Sequence, residues 1–230
     1  MPRMLDLFCG AGGATRGYQL AGFEVWGVDI NPQPNYCGDV FFPSDVFRFL
    51  NVYPLDGFDA IHASPPCQMF TAYRRAMPDR GDDQYVNLIP ETRALLEAWG
   101  GPYVIENVPG APLVDPIMCC GSMFDPPLEV QRHRLFETNW GCAPPAWPCR
   151  HKLWGPDRYP GGASVKRTGS SKGLVRGTVE IGAWDIPAEV QHRAIGIDWM
   201  PIKALSQAIP PAYTEHIGRQ LIHHLEVLAA

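Results

Sequence analysis

Asp6-Leu7-Phe8-Cys9-Gly10-Ala11-Gly12-Gly13 (DLFCGAGG) is the stretch whose reading decides the fold. It closes the apolar run Arg3–Phe8 (RMLDLF), which reads as a buried strand, and it leads into Ala14–Ala21, a short helix. Gly22 stands where a helix C-cap glycine belongs. Glu24–Ile30 (EVWGVDI) then reads as a second strand ending on Asp29. A strand, a glycine turn, a helix and a strand ending in an acid open a nucleotide- or nucleoside-binding α/β unit. The turn has neither the GxGxxG spacing of a hydride-transfer enzyme nor the Lys-Ser/Thr ending of a phosphate loop.

Further along, Phe58–Ala63 (FDAIHA) reads as a strand that runs into Ser64-Pro65-Pro66-Cys67-Gln68. Thr92–Trp99 has Leu95, Leu96 and Trp99 spaced for one helical face. Tyr103–Glu106 and Arg134–Glu137 read as short strands, and Tyr213–Leu228 as a helix with Ile217, Leu221, Ile222, Leu225 and Leu228 on one side. From Asn139 to about Trp184 the chain turns rich in Pro, Gly, Ser, Trp and basic residues without periodicity. The expected organisation is therefore an α/β unit over 1–138, a loop-rich insertion over 139–184, and a return to the first unit over 185–230.

The 230 residues carry a formal charge of −5 and an isoelectric point near 5.8, which on its face argues against a nucleic-acid binder. The charge is segregated, however. Residues 131–176 hold nine Lys/Arg against Glu137 and Asp157, a net +7, and the remainder nets −12. No apolar run is long enough to span a bilayer, so no membrane partner is expected. With no secretory leader and an odd count of seven cysteines, the reading is an intracellular protein with reduced thiols.

Two prolines stiffen the chain before Cys67, at the C-terminal end of a strand, and a thiol held so is placed as a nucleophile. Glu106 and Asn107, ending another strand, would face the same sheet edge. A carboxylate buried there would hold its proton near neutral pH and donate a hydrogen bond. Cys142, Cys149 and His151, with Cys119 or Cys120, form a Cys3His set, but C-x6-C-x-H contains no paired CxxC. Free or buried thiols are the favoured reading and no metal site is assigned.

The chain resembles the DNA (cytosine-5)-methyltransferases. The resemblance rests on Asp6–Gly13, Pro65-Pro66-Cys67-Gln68, Glu106-Asn107-Val108, Arg132 and Arg134 in QRHRLFE, and Ala208-Ile209-Pro210-Pro211, which occur in family order across residues 6 to about 220. It implies a Rossmann-like S-adenosylmethionine-dependent methyltransferase sheet with a small loop-rich insertion. It also implies transfer of a methyl group from S-adenosyl-L-methionine to C5 of a cytosine flipped out of double-stranded DNA.

In that scheme Cys67 attacks C6, Glu106 holds N3 and the exocyclic amine, and Arg134 with Arg132 fixes the ring. Nearby positive charge activates Cys67. Asp6, Phe8, Gly10, Gly12, Gly13, Asp29, Ile30, Asp45, Pro65, Gln207 and Ala208 would bind the donor. Asp45 is favoured over Asp39 for the adenine by its spacing to Cys67. Pro66, Gln68, Asn107, Arg74, Arg75, Arg150, Lys152 and Arg167 would contact the substrate, and residues 139–184 would be a short target-recognition segment. A monomer in the cytoplasm of a bacterium or phage-infected cell is expected, in restriction-modification or phage biology.

Three departures bear on this. Gln131 directly precedes Arg132, Ser206-Gln207 stand where the family has Gly-Asn, and Glu189–Gly196 matches only loosely. RNA (tRNA) cytosine methylation, an altered donor of the S-adenosylmethionine type, and a catalytically silent DNA-binding module are the competing readings.

Overall fold

The structure, a computed structural model, describes residues 1–70, 85–150, 179, 181–182 and 186–229. Seven strands form one sheet: β1 (Arg3–Leu7), β2 (Glu24–Asp29), β3 (Val40–Pro43), β4 (Ala60–Ala63), β5 (Tyr103–Asn107), β6 (Ile117–Cys119) and β7 (Arg134–Thr138). Their order is β3-β2-β1-β4-β5-β7-β6. β1 to β5 are parallel, whereas β7 runs antiparallel to both β5 and β6. This is the expected Rossmann-like α/β sheet, with its switch point between β1 and β4, where the strand order reverses.

Parallel strands covered on both faces are buried along their length, and β1 after Arg3 and all of β4 are, because helices cover both sides. On one face α1 (Gly13–Ala21) and α6 (Pro211–Ala229) bury Met4, Val25, Val104 and Phe136 beneath Tyr18, Tyr213 and Ile217. On the other, α2 (Val46–Val52) and α3 (Ile89–Trp99) cover Leu5, Leu7, Ile61 and Ile105 through Phe49 and Leu96. A third cluster, including Val130, Ile195, Ile197 and Leu205, seats α4 (Ala188–Ile195) and α5 (Ile202–Leu205). α1 and α6 meet closely because Gly17 has no side chain: a Cβ there would stand 2.1 Å from the Pro211 carbonyl oxygen.

Several elements differ from the sequence reading. α3 begins at Ile89 rather than Thr92, since Pro90 is tolerated in a first helical turn. β5 continues to Asn107, and α6 starts at Pro211. β3, β6, α2, α4 and α5 were not anticipated, although Asp45 is a helix N-cap whose carboxylate accepts the Arg48 N–H at 2.9 Å. The stretch from Asn139 begins docked on the body. Asn139 accepts the Tyr103 N–H at 2.8 Å and donates to the Gly101 carbonyl, while Gln220 accepts the Ala143 N–H. No helix among the described residues is long and apolar enough to cross a membrane.

Candidate active-site cleft

The loops leaving the C-terminal ends of β1, β2, β4 and β5 border one cleft of about 980 Å³, at the switch point where open α/β sheets bind ligands. After β1 the chain turns sharply. Phe8 holds φ 60° and Gly12 φ 89°, the latter as N-cap of α1. The turn is fixed by the Gly10 N–H donating to Asp29 at 3.0 Å and by Trp199 donating its indole N–H to the Ala11 carbonyl at 2.9 Å. Asp29 also accepts the Asn31 N–H, so both of its oxygens hold loop backbone at the cleft wall.

Asp6 lies fully buried beneath this turn and accepts the Thr15 hydroxyl. Burial raises its pKa to about 7 against the Thr15 hydrogen bond, with the Asp29 carboxylate adding to the rise. Its Oδ1 has no hydrogen-bond partner.

Cys67 sits half-buried in the loop after β4, which Asn107 braces by donating to the Pro65 carbonyl at 2.8 Å. Glu106, at the end of β5, is buried and lies 3.0 Å from the Arg134 Nε across the β5–β7 pairing. Burial drives the Glu106 pKa up, opposed by Arg134, by a Ser64 hydrogen bond and by Arg132. The positive charge expected beside Cys67 is present in Arg134 and Arg132, but burial outweighs it. Burial raises the Cys67 pKa, Arg134 and Arg132 pull it down by less, and Glu106 adds to the rise. The thiol is therefore neutral at rest. Arg132 is half-buried and donates to the Ser206 carbonyl, which ties the Ser206–Ala208 linker to the cleft.

Of the residues singled out from sequence, Cys67, Glu106, Arg132, Arg134, Asp6, Phe8, Gly10, Gly13, Asp29, Ile30, Asp45, Pro65, Pro66, Gln68, Gln207 and Ala208 all line this cleft. Asp39, the runner-up to Asp45, points away and accepts the Val25 N–H at 2.8 Å. Three others stand outside the lining. Gly12 backs onto Cys37, where a Cβ would meet Sγ at 2.7 Å. Asn107 is buried behind the Cys67 loop. Arg150 sits over the Trp147 ring at 4.9 Å and gives its backbone N–H to Ser122. Arg74, Arg75, Lys152 and Arg167 lie outside the described residues, as does His151.

One feature had little signal in sequence. Tyr18 Oη lies 2.9 Å from His62 Nδ1, and His62 Nε2 lies 2.8 Å from Ser64 Oγ, whose hydroxyl hydrogen-bonds Glu106. This polar chain runs from the core to the cleft carboxylate. Full burial lowers the pKa of His62 to about 3, so the chain is uncharged. A histidine in the strand FDAIHA and a serine before Pro65 were its only traces, and neither spacing joins them.

No family model and no curated protein matches the chain. Solved structures do. One is a prophage-encoded E. coli protein described as a DNA modification methyltransferase: TM-score 0.60, 15% identity, 98% of this chain and 100% of that one. The S. pombe Dnmt2 methyltransferase matches with TM-score 0.54 and 14% identity over 100% and 99% of the two chains. The Entamoeba histolytica methyltransferase EhMeth matches with TM-score 0.54 and 12% identity over the same shares. At such identities the likeness is one of fold: the chain has the Rossmann-like α/β fold of these methyltransferases.

Proposed function

We propose that this chain transfers a methyl group from S-adenosyl-L-methionine to C5 of a cytosine flipped out of DNA, by way of a covalent bond between Cys67 and C6. The observation that carries this reading is that Cys67, Glu106, Arg134 and Arg132 share one cleft with Asp6, Asp29 and Asp45. The likeness in fold to a prophage-encoded DNA modification methyltransferase supports DNA as the substrate.

The cleft fits the donor. Its volume suits a ligand of that size, and the unpartnered Asp6 Oδ1 is a buried acceptor suited to a cationic ligand group. Asp29 and Asp45 would hold the ribose and adenine, and Gln207 and Ala208 the methionine end. The bound donor supplies an electrophilic methyl group.

Cys67 gives its proton to solvent water and forms the S–C6 bond, and the electron pair of the C5–C6 double bond moves onto the ring. Glu106, whose pKa burial raises, donates in its protonated form to N3 and stabilises that charge. Arg134 holds Glu106 and the ring carbonyl in register. C5 would take the methyl group as its bond to the donor's sulfur breaks; C5 then gives its proton to water, and the returning electron pair breaks the S–C6 bond. Both ring faces are used, so the base must leave the helix stack.

Tritium-labelled S-adenosylmethionine with duplex DNA should label C5 of cytosine, and Cys67→Ser should abolish it. DNA carrying 5-fluorocytosine should trap a covalent complex, since its C5 has no proton to lose. Full activity in Cys67→Ala would overturn the mechanism. Preferential labelling of tRNA over DNA would move the substrate to RNA.

A further inference from the structure

Away from the cleft, Cys120, His133 and Cys149 bring one donor atom each to within 4.8 Å of one another. Their placement follows from the sheet. Cys119 pairs with Arg134 in the antiparallel β6–β7 ladder, so Cys120 and His133 are the next residues to face each other beyond it. Cys149 arrives from the stretch that follows β7, with its Sγ 3.3 Å from His133 Nε2. Ser122, fully buried in the turn Gly121–Met123, lies with its Oγ 3.6 Å from the Cys120 sulfur and 3.7 Å from the Cys149 sulfur. The same Oγ accepts the Arg150 N–H at 2.9 Å.

Two thiols and an imidazole converging on one point are the donor set of zinc, which binds thiolate sulfur at about 2.3 Å and imidazole nitrogen at about 2.0 Å. Donors around one tetrahedral ion of those bond lengths lie roughly 3.5–3.8 Å apart; the three here stand within 4.8 Å of one another, so binding would draw them together by up to about 1 Å. Ser122 adds a hydroxyl able to donate to a sulfur that has lost its proton, the outer contact that such ligands commonly have.

We propose that Cys120, His133 and Cys149 bind one zinc ion. The ion's place is structural: it ties the end of β6 and the start of β7 to the first residues after the sheet. His133 lies between Arg132 and Arg134, so the ion would also hold the strand that presents both arginines to the cleft. The three donors leave one position of a tetrahedral ion for water or a fourth donor. The ligand set differs from the one considered from sequence. His133 was not in it, and Cys142 points instead to the carbonyl of Ala143. The proposal stands on the cluster alone and does not depend on methyl transfer.

The test is elemental analysis of the purified full chain, dialysed against metal-free buffer and then after incubation with zinc chloride. About one bound zinc per chain is expected. Cobalt substituted for it should show thiolate-to-metal charge-transfer absorption. His133→Ala and Cys149→Ser should bind zinc at least about tenfold more weakly, whereas Cys142→Ser keeps it. Should those variants not fold, differential alkylation of the native chain serves: zinc should shield the half-buried Cys149 from a thiol reagent and leave Cys142 reactive. No zinc in the native chain under either condition, equal zinc affinity in folded variants, alkylation that zinc does not alter, or a Cys120–Cys149 disulfide would each overturn the proposal.

Discussion

Replacing Asp6 by asparagine tests how the cleft floor is built. Asp6 is fully buried, and its pKa moves from 3.8 in the unfolded chain to about 7 in the fold. Between those two values the unfolded chain has lost the proton and the folded chain keeps it. Stability therefore falls as pH rises through this window, and levels off above about 7. A shift of roughly three units at about 1.4 kcal/mol each makes the loss about 4 kcal/mol. Asparagine is nearly isosteric, still accepts the Thr15 hydroxyl, and has no proton to lose.

Asp6→Asn should therefore be more stable than the native chain at pH 8 by a few kcal/mol relative to their difference at pH 4. The difference between the two chains is the quantity to read, because His62, lowered to about 3, contributes a slope of opposite sign over much of the same range. Urea unfolding of both chains at half-unit pH steps from 4 to 8 measures it. Parallel stability curves would refute the reasoning, since they would mean that Asp6 ionises in the fold at its ordinary pKa. The same variant should bind S-adenosylmethionine more weakly if Asp6 receives a cationic group of the ligand.

Ser64→Ala removes a hydrogen bond that favours ionised Glu106, so the pH profile of methyl transfer should move upward, and a profile that stays in place would count against the link. Arg93 grips buried Glu137 through two contacts of 2.7 Å, and Arg93→Met should cost about 3–5 kcal/mol in chemical unfolding by stranding that carboxylate. Gly17→Ala drives a methyl group onto the Pro211 carbonyl and should lower stability by about 3 kcal/mol, seen as a depressed Tm. DNA binding should weaken steeply between low and moderate salt, and neutralising the Lys and Arg residues of 150–176 should flatten that dependence in a fluorescence-anisotropy titration.

The opening strand–turn–helix–strand unit was legible because its signals are local. Apolar runs, turn glycines and the C-cap at Gly22 each act within a few residues of where they stand. The chemistry-bearing ends of β4 and β5 were legible for the same reason, as polar residues directly after buried strands. β6 escaped because a three-residue strand has too few positions to show a period, and β3 (Val40–Pro43) because it is an edge strand that is only partly buried and ends on a proline.

By itself the sequence determined which residue types could carry chemistry, and that strands would deliver several of them to one sheet edge. Only the tertiary structure decided their neighbours. It set Arg134 against Glu106 across an antiparallel pair, buried Cys67 enough that its thiol stays neutral, joined Tyr18 to Glu106 through His62 and Ser64, and gathered Cys120, His133 and Cys149. Those relations join residues up to 44 positions apart along the chain, and they depend on strand register and burial. Hydrogen bonding and packing across the sheet fix these, and no local pattern encodes them.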